Sequence, residues 1–290
     1  MRFFVNWVQW LIDGYWPNSE HDAVTMVRSP RAAYSLERHL ADADRSDVFL
    51  ANADGHSFLL KVSRNPEGRR LLEQEHAVLR RLLAAADNRT YGRYLPELAE
   101  SFILKRQHRV NVFRFDSRFR TLEEVYEQHP ALDARHLAWI FNRLLTVLGF
   151  CHKQGIVHAA VLPCHVMIEA AGHGLQLIGW GQSVDCKRPV RHLASAFREW
   201  YPLEITKRMP VGPETDLFLA ARCKVYLAGG DSLTNRMPDT VPEPMRRFIA
   251  TCLLESPRMR PDDAWGLQQE FEHLLRRLYG APAFHELTLT

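Results

Sequence analysis

The chain has 290 residues, five cysteines and a net charge of +3, with 46% hydrophobic and 24% charged residues. That length holds one sizeable globular unit and no additional large domain, and the near-balanced charge gives no support to a nucleic-acid or acidic-membrane binder. Cys151, Cys164, Cys186, Cys223 and Cys252 are odd in number, scattered and without a Cys-x-x-Cys pair, which argues for reduced thiols in a cytoplasmic protein over a disulfide framework or a zinc site. No apolar run approaches the ~18 residues of a membrane span, and no stretch resembles a signal peptide with a cleavage site.

In chain order, the first seventeen residues hold three of the seven tryptophans. A helix from Phe3 to Ile12 places Phe3, Trp7, Trp10 and Leu11 on one side. This stripe either docks back on the rest of the chain or anchors a partner protein, as exposed aromatics do. A membrane-surface helix is weakened by having only Arg2 as a basic residue.

Beyond this extension, set at residues 1–29, Tyr34-Ser35-Leu36 begins a strand, Asp47 to Ala51 reads as its hairpin partner, and turn residues 52 to 56 lead into a third strand, Ser57 to Val62. A helix follows from about 66 to 86: Pro66 suits a first turn, and Leu71, Leu72, His76, Leu79 and Leu83 recur at helical spacing. The run Lys105 to Arg109, with Arg114, Arg118 and Arg120, is basic, but cations in turns are usually solvated and nucleic-acid binding is not expected from them. Farther on, Leu137, Ile140, Phe141, Leu144, Leu145, Val147 and Leu148 form the apolar stripe of a long helix.

That helix leads into Gly155-Ile156-Val157-His158-Ala159-Ala160-Val161-Leu162-Pro163-Cys164-His165-Val166-Met167-Ile168, and then Leu177-Ile178-Gly179-Trp180-Gly181. Tyr201-Pro202-Leu203-Glu204, Thr215-Asp216-Leu217-Phe218 and Ser256-Pro257-Arg258-Met259-Arg260-Pro261 follow. Cys164 and His165 are adjacent, and consecutive residues rarely share one metal ion; no further ligands sit at zinc-like spacing, so no metal is expected.

These segments resemble, in order, the catalytic loop His-Arg-Asp-Leu-Lys-Pro-x-Asn, the Asp-Phe-Gly loop, the Ala-Pro-Glu segment, the central helix and the Asp-Pro-x-x-Arg-Pro turn of the protein-kinase-like superfamily. The chain looks like a degenerate homologue of the bacterial-type serine/threonine kinases. The resemblance implies an α+β, two-lobed fold, with a β-rich N-lobe carrying one regulatory helix over residues 30–116. A larger helical C-lobe would span 117–280, with a tail over 281–290. It also implies that Ala160 replaces the catalytic base, Leu162 the loop lysine, His165 the metal-binding asparagine and Gly179 the metal-binding aspartate.

Other positions fall on either side of this loss. Lys61 and Glu75 match the strand lysine and helix glutamate that pair in the family. Ala41, Ala43 and Ser46 stand where the phosphate-loop glycines belong, in a hairpin whose Asp42 and Asp44 either face the phosphates or simply meet water. Leu59 and Met167 take the roof and floor of the adenine pocket: Leu59 either fills it or adopts a rotamer that leaves it open. His158, Trp180, Leu79, Glu204, Asp216 and Arg260 are the architectural positions, with Glu204 and Arg260 expected to pair. Phosphoryl transfer relies on positioning and on magnesium, so loss of both metal ligands removes the principal electrostatic stabilisation. The implied protein is a catalytically inactive pseudokinase with no cofactor, no metal and weak or absent ATP binding, acting as a scaffold or allosteric regulator for a protein partner. The alternatives are a metal-independent nucleotide-binding switch, or an enzyme with a different transfer chemistry on the same fold.

Overall fold

The structure, a computed structural model, describes residues 25–43, 45–87 and 90–289. Phe3, Trp7, Trp10, Leu11 and Asp44 lie outside the described residues, as do the side chains of Asp42 and Ala43.

The N-terminal half is an antiparallel sheet of β1 (Thr25–Arg28), β2 (Ala33–Ala43), β3 (Ser46–Ala53), β4 (His56–Ser63), β5 (Leu98–Leu104) and β6 (His108–Arg114), in the order β1-β2-β3-β4-β6-β5. Asp54 and Gly55, both with positive φ, make the two-residue turn between β3 and β4, the turn chemistry whose twist suits a hairpin. Along β3, Phe49, Ala51 and Ala53 alternate to the buried face, where they meet Leu60 and Val62 of β4 and Val110 and Val112 of β6. One boundary lies earlier than expected. Thr25 pairs with Leu36 across β1 and β2, so the sheet begins before residue 30; a four-residue strand is too short to declare itself by alternation. The basic run lies on the β5–β6 hairpin: Lys105 and Arg106 form its turn and His108 and Arg109 enter β6, while residues 115–118 connect the sheet to the rest.

Helix α1 (Pro66–Ala85) starts where Asn65 accepts the amide of Gly68 at 2.8 Å, with proline in its first turn where no donor is needed. Its buried face includes Val78, Leu79 and Leu82, and these belong to the core of the large lobe, not to that of the sheet. Helix burial therefore ties the two lobes together.

The large lobe contains α2 (Leu122–Gln128), α3 (Ala134–Lys153), α4 (Leu203–Thr206), α5 (Pro213–Leu227), α6 (Glu243–Cys252) and α7 (Ala264–Tyr279). Helix α5 is buried nearly all round and forms the axis on which the others pack. Short strands hold the segment of interest: β7 (Phe119–Thr121), β9 (Val166–Glu169) and β10 (Gly174–Leu177) form one sheet, and β8 (Ile156–Val157) pairs with β11 (Val184–Asp185). The C-terminal segment is docked, with Leu287 buried, Phe284 stacked on His173 at 4.3 Å, and His173 stacked in turn on Trp139 at 4.2 Å. Among the described residues, no helix is long and apolar enough to cross a membrane.

Candidate functional site

The loop after β8 is built on Asp216, in the first turn of α5. Its carboxylate is fully buried and accepts the backbone amides of His158 at 2.8 Å and Ala159 at 2.7 Å, while His152 Nε2 lies 2.9 Å away. Those bonds hold Ala159 at φ +61, a left-handed conformation that disfavours an ordinary side chain and persists where surroundings impose it. His158 is fully buried; Nδ1 accepts the amide of Ala160 at 3.2 Å, which leaves Nε2 to donate to the Ile178 carbonyl at 2.9 Å. Desolvation pushes its pKa down to about 4, so it is neutral and structural. Trp180 packs edge-on against His158 at 4.5 Å and donates Nε1–H to the Leu177 carbonyl at 2.8 Å. Together these residues join the two loops through polar bonds that water does not reach.

At the positions where the resemblance places catalytic groups, Ala160 and Leu162 are fully buried hydrocarbon. His165 Nδ1 lies 2.9 Å from the Ala160 carbonyl, and desolvation pushes this imidazole down to about 3, with His158 and Lys61 adding in the same direction. Gly179 adopts φ +80, and a Cβ there would stand 2.5 Å from Cδ2 of His165. Neighbouring carboxylates are engaged elsewhere. Asp185 is bound by Arg81 at 2.7 Å, and Glu169 accepts the amides of Ala171 and Gly172 in its own hairpin turn.

Lys61 Nζ donates to Glu75 Oε1 at 2.7 Å, joining β4 to α1. Glu75 is 1% exposed, and its other oxygen accepts Asn111 Nδ2 at 3.0 Å. Asn111 also donates to the Leu72 carbonyl and accepts from Ser101, so the buried carboxylate sits in a network with each of its oxygens bonded. Sequence reasoning missed Asn111, although a polar residue between Val110 and Val112 on a strand was a visible signal. It also missed the further ties on α1: Gln74 donates to the Ser183 carbonyl at 3.0 Å, and Glu67 lies between Arg45 at 3.1 Å and His192 at 2.8 Å.

Ala41, Ala43 and Ser46 do not form an open loop. Ala41 pairs with Val48 and Ala43 with Ser46, so both strands run to a tight tip. The tip is fastened to α1: Arg64 donates its amide to the Arg45 carbonyl at 2.9 Å and its guanidinium to buried Asp47 at 2.8 Å, and a Cβ on Gly68 would strike the Arg45 carbonyl at 2.0 Å. Leu59 is half-buried and packs against the core that spans both lobes. Met167 is half-buried on β9, between Thr121 and Gln176.

In the large lobe, Arg260 and Glu204 are each 1% exposed at the side chain and paired at 2.5 Å. Arg260 also donates to the carbonyls of Leu254 and Glu255, and Glu204 accepts Thr215 Oγ1 at 3.1 Å. Leu79 is completely buried. Among the described residues, no group of three or more His, Cys, Asp or Glu side chains is arranged to hold a metal ion.

No family model matches the chain. The serine/threonine-protein kinase PAK mbt of Drosophila melanogaster is 24% identical over 104 residues, 36% of this chain and 16% of that protein. The casein kinase II subunit alpha' of Saccharomyces cerevisiae is 38% identical over 63 residues, 22% of this chain and 17% of that protein. The chain thus spans about a sixth of the length of the curated relatives it matches. Among solved structures, the BubR1 kinase domain superposes with a TM-score of 0.67 at 14% identity, over 95% of this chain and 92% of that one. The chain has the two-lobed protein-kinase-like fold.

Proposed function

We propose that this protein-kinase-like chain is a catalytically inactive pseudokinase that serves as a cytoplasmic protein-binding scaffold or allosteric regulator. The observation that carries the reading is the complementarity of His165 and Gly179: the imidazole fills the volume that a side chain at residue 179 would need. An aspartate there and a metal ion beside it would both meet this ring. Ala160 adds no proton acceptor beyond its backbone, and a missing positioned base alone lowers a rate by about 10²- to 10⁴-fold. Imidazole with its pKa pushed down to about 3 is neutral at physiological pH and is a poorer magnesium ligand than an oxygen donor.

Rigidity supports the regulatory part of the reading. Lys61–Glu75, Gln74–Ser183 and Arg81–Asp185 tie α1 to both lobes, and the hairpin tip meets its first turn through Arg45 and Glu67. A fixed shape suits presentation of a surface to a partner. Among the described residues none of the five cysteines forms a disulfide, which is consistent with a reducing compartment. Purified protein is expected to transfer no phosphate to itself or to generic substrates with magnesium or manganese ATP. Transfer that disappears in Lys61→Met and is absent from a mock preparation would overturn the reading.

The intact Lys61–Glu75 pair favours a second reading, a metal-independent nucleotide-binding switch, because that lysine is positioned to meet an anion in the cleft. Adenine-specific thermal stabilisation without metal separates it from the scaffold.

A further inference from the structure

Two segments that are distant in sequence meet on the surface of the large lobe and bring an unusual set of charges together. Residues 187–189 run antiparallel to 209–211: Lys187 donates its amide to the Val211 carbonyl at 2.8 Å, Val211 donates to the Arg188 carbonyl at 3.2 Å, and Pro189 pairs with Pro210. The side chains of Lys187, Arg188, Arg191, Lys207 and Arg208 are all exposed on or beside this ladder. Among the described residues, none of the five makes an ion pair or a side-chain hydrogen bond. The carboxylates nearest in sequence are committed, Asp185 to Arg81 and Glu204 to Arg260.

The Pro189–Pro210 pairing brings the segment holding Lys187, Arg188 and Arg191 beside the one holding Lys207 and Arg208, and like charges so gathered repel. Lys187 and Arg208 also hold positive φ, at +66 and +55, a conformation that bulky side chains adopt at a cost. Binding an anion would relieve the repulsion between these cations. The patch is not purely electrostatic either, since Leu203 and Met209 beside it are 44% and 45% exposed. Carboxylates and apolar side chains on one chain would match both features. A nucleic acid fits less well, because the ladder presents no exposed aromatic ring for a base to stack on.

We propose that this ladder is a docking surface for an acidic segment of a partner protein, one that sets glutamates or aspartates against Lys187, Arg188, Lys207 and Arg208 and an apolar side chain against Leu203 or Met209. The proposal gives the chemistry of the partner under the scaffold reading. Its test does not involve phosphate transfer, so the two can fail separately.

The test is fluorescence anisotropy with the full chain and a fluorescein-labelled peptide in which glutamates alternate with leucine and phenylalanine. Saturable binding is expected, weakening as salt rises. The variant Lys187→Glu/Arg188→Glu/Lys207→Glu/Arg208→Glu should lose about tenfold or more in affinity. Arg106→Glu, on the exposed part of the β5–β6 turn in the other lobe, should bind like the parent. Should the fourfold variant melt below the parent, Lys187→Ala/Arg208→Ala replaces it and should weaken binding in the same direction. No saturable binding by the parent up to about 100 μM, which is weaker than about 5.5 kcal/mol, would overturn the proposal. Equal losses in the control variant, or tighter binding of a single-stranded RNA of matched charge, would do the same.

Discussion

The imidazole of His165 and the missing side chain of Gly179 are two halves of one packing arrangement. A Cβ on residue 179 would stand 2.5 Å from Cδ2 of His165, well inside contact distance, so each residue accommodates the other. Introducing Gly179→Asp alone should therefore overpack the loop and lower stability by about 1 to 3 kcal/mol. Adding His165→Asn should recover most of that, leaving the smaller penalty of an aspartate at positive φ. Thermal melts of the two variants check this; a single variant as stable as the parent would show that the ring does not hold that space.

Acid should unfold the protein through these same loops. The pKa values of His158 and His165 are pushed down to about 4 and about 3 in the fold, while in the unfolded chain each is near 6.5. The unfolded state therefore binds more protons below pH 6.5, and stability present above that value is lost as pH falls through the interval toward 4 and 3. By pH 5.5 each histidine should account for about 1 to 1.5 kcal/mol. Urea midpoints between pH 8 and 5 measure the slope. His165→Asn should make it shallower, and an unchanged slope would mean that this ring binds protons equally in the folded and unfolded states.

Arg260 and Glu204 form a pair with almost no exposure, supported by two carbonyls and the Thr215 hydroxyl. Truncating Arg260→Ala leaves a buried carboxylate without its cation, and the expected loss is about 3 to 5 kcal/mol. A melting temperature within error of the parent would contradict the burial of the pair.

Lys224, on the central helix, is 3% exposed, and among the described residues its amine has no hydrogen-bond partner. It lies over the rings of Phe271 at 4.1 Å and Phe141 at 4.8 Å. Cation–π attraction of about 2 kcal/mol per ring at best does not offset the desolvation of a full charge, and burial pushes the amine well below its usual range. With a depressed folded pKa, the native state binds fewer protons, so stability should rise as pH increases toward about 10.5, the unfolded value. Lys224→Met should be as stable as the parent or more so, by up to about 4 kcal/mol, and should lack that pH-dependent rise. Chemical denaturation at pH 7 and 9 decides it; a strongly destabilised Met variant would show that the charged amine is stabilising.

Leu59 packs against the core shared by the lobes, which gives the nucleotide question a mutational handle. Leu59→Ala should cost about 2 kcal/mol, the low end for a side chain that is only partly buried, and should open space above the cleft. ATP or ADP should leave the melting temperature of the parent unchanged and raise that of the variant. Stabilisation of the parent itself by more than a degree or two would favour the nucleotide switch.

Much of the architecture was legible in the sequence because its causes are local. The 3.6-residue stripe of α3, the proline at the start of α1, the Asp54-Gly55 turn and the order of strand, helix and loop segments each follow from the chain's own neighbours. Ala160, His165 and Gly179 were likewise readable as residue types, placed at motif positions by the resemblance alone. Short elements were not, such as β1 with four residues.

Only the tertiary structure decided how those pieces constrain one another, since the relevant partners are far apart in sequence. It joined Glu75 to Asn111, fastened the β2–β3 hairpin through Asp47 and Arg64, and fitted the His165 ring against Gly179. It also placed the buried face of α1 in the core of the large lobe and set two cationic segments side by side on its surface. Composition and periodicity determine which side chains leave water. Which group each then meets depends on the distances and directions that the folded backbone imposes.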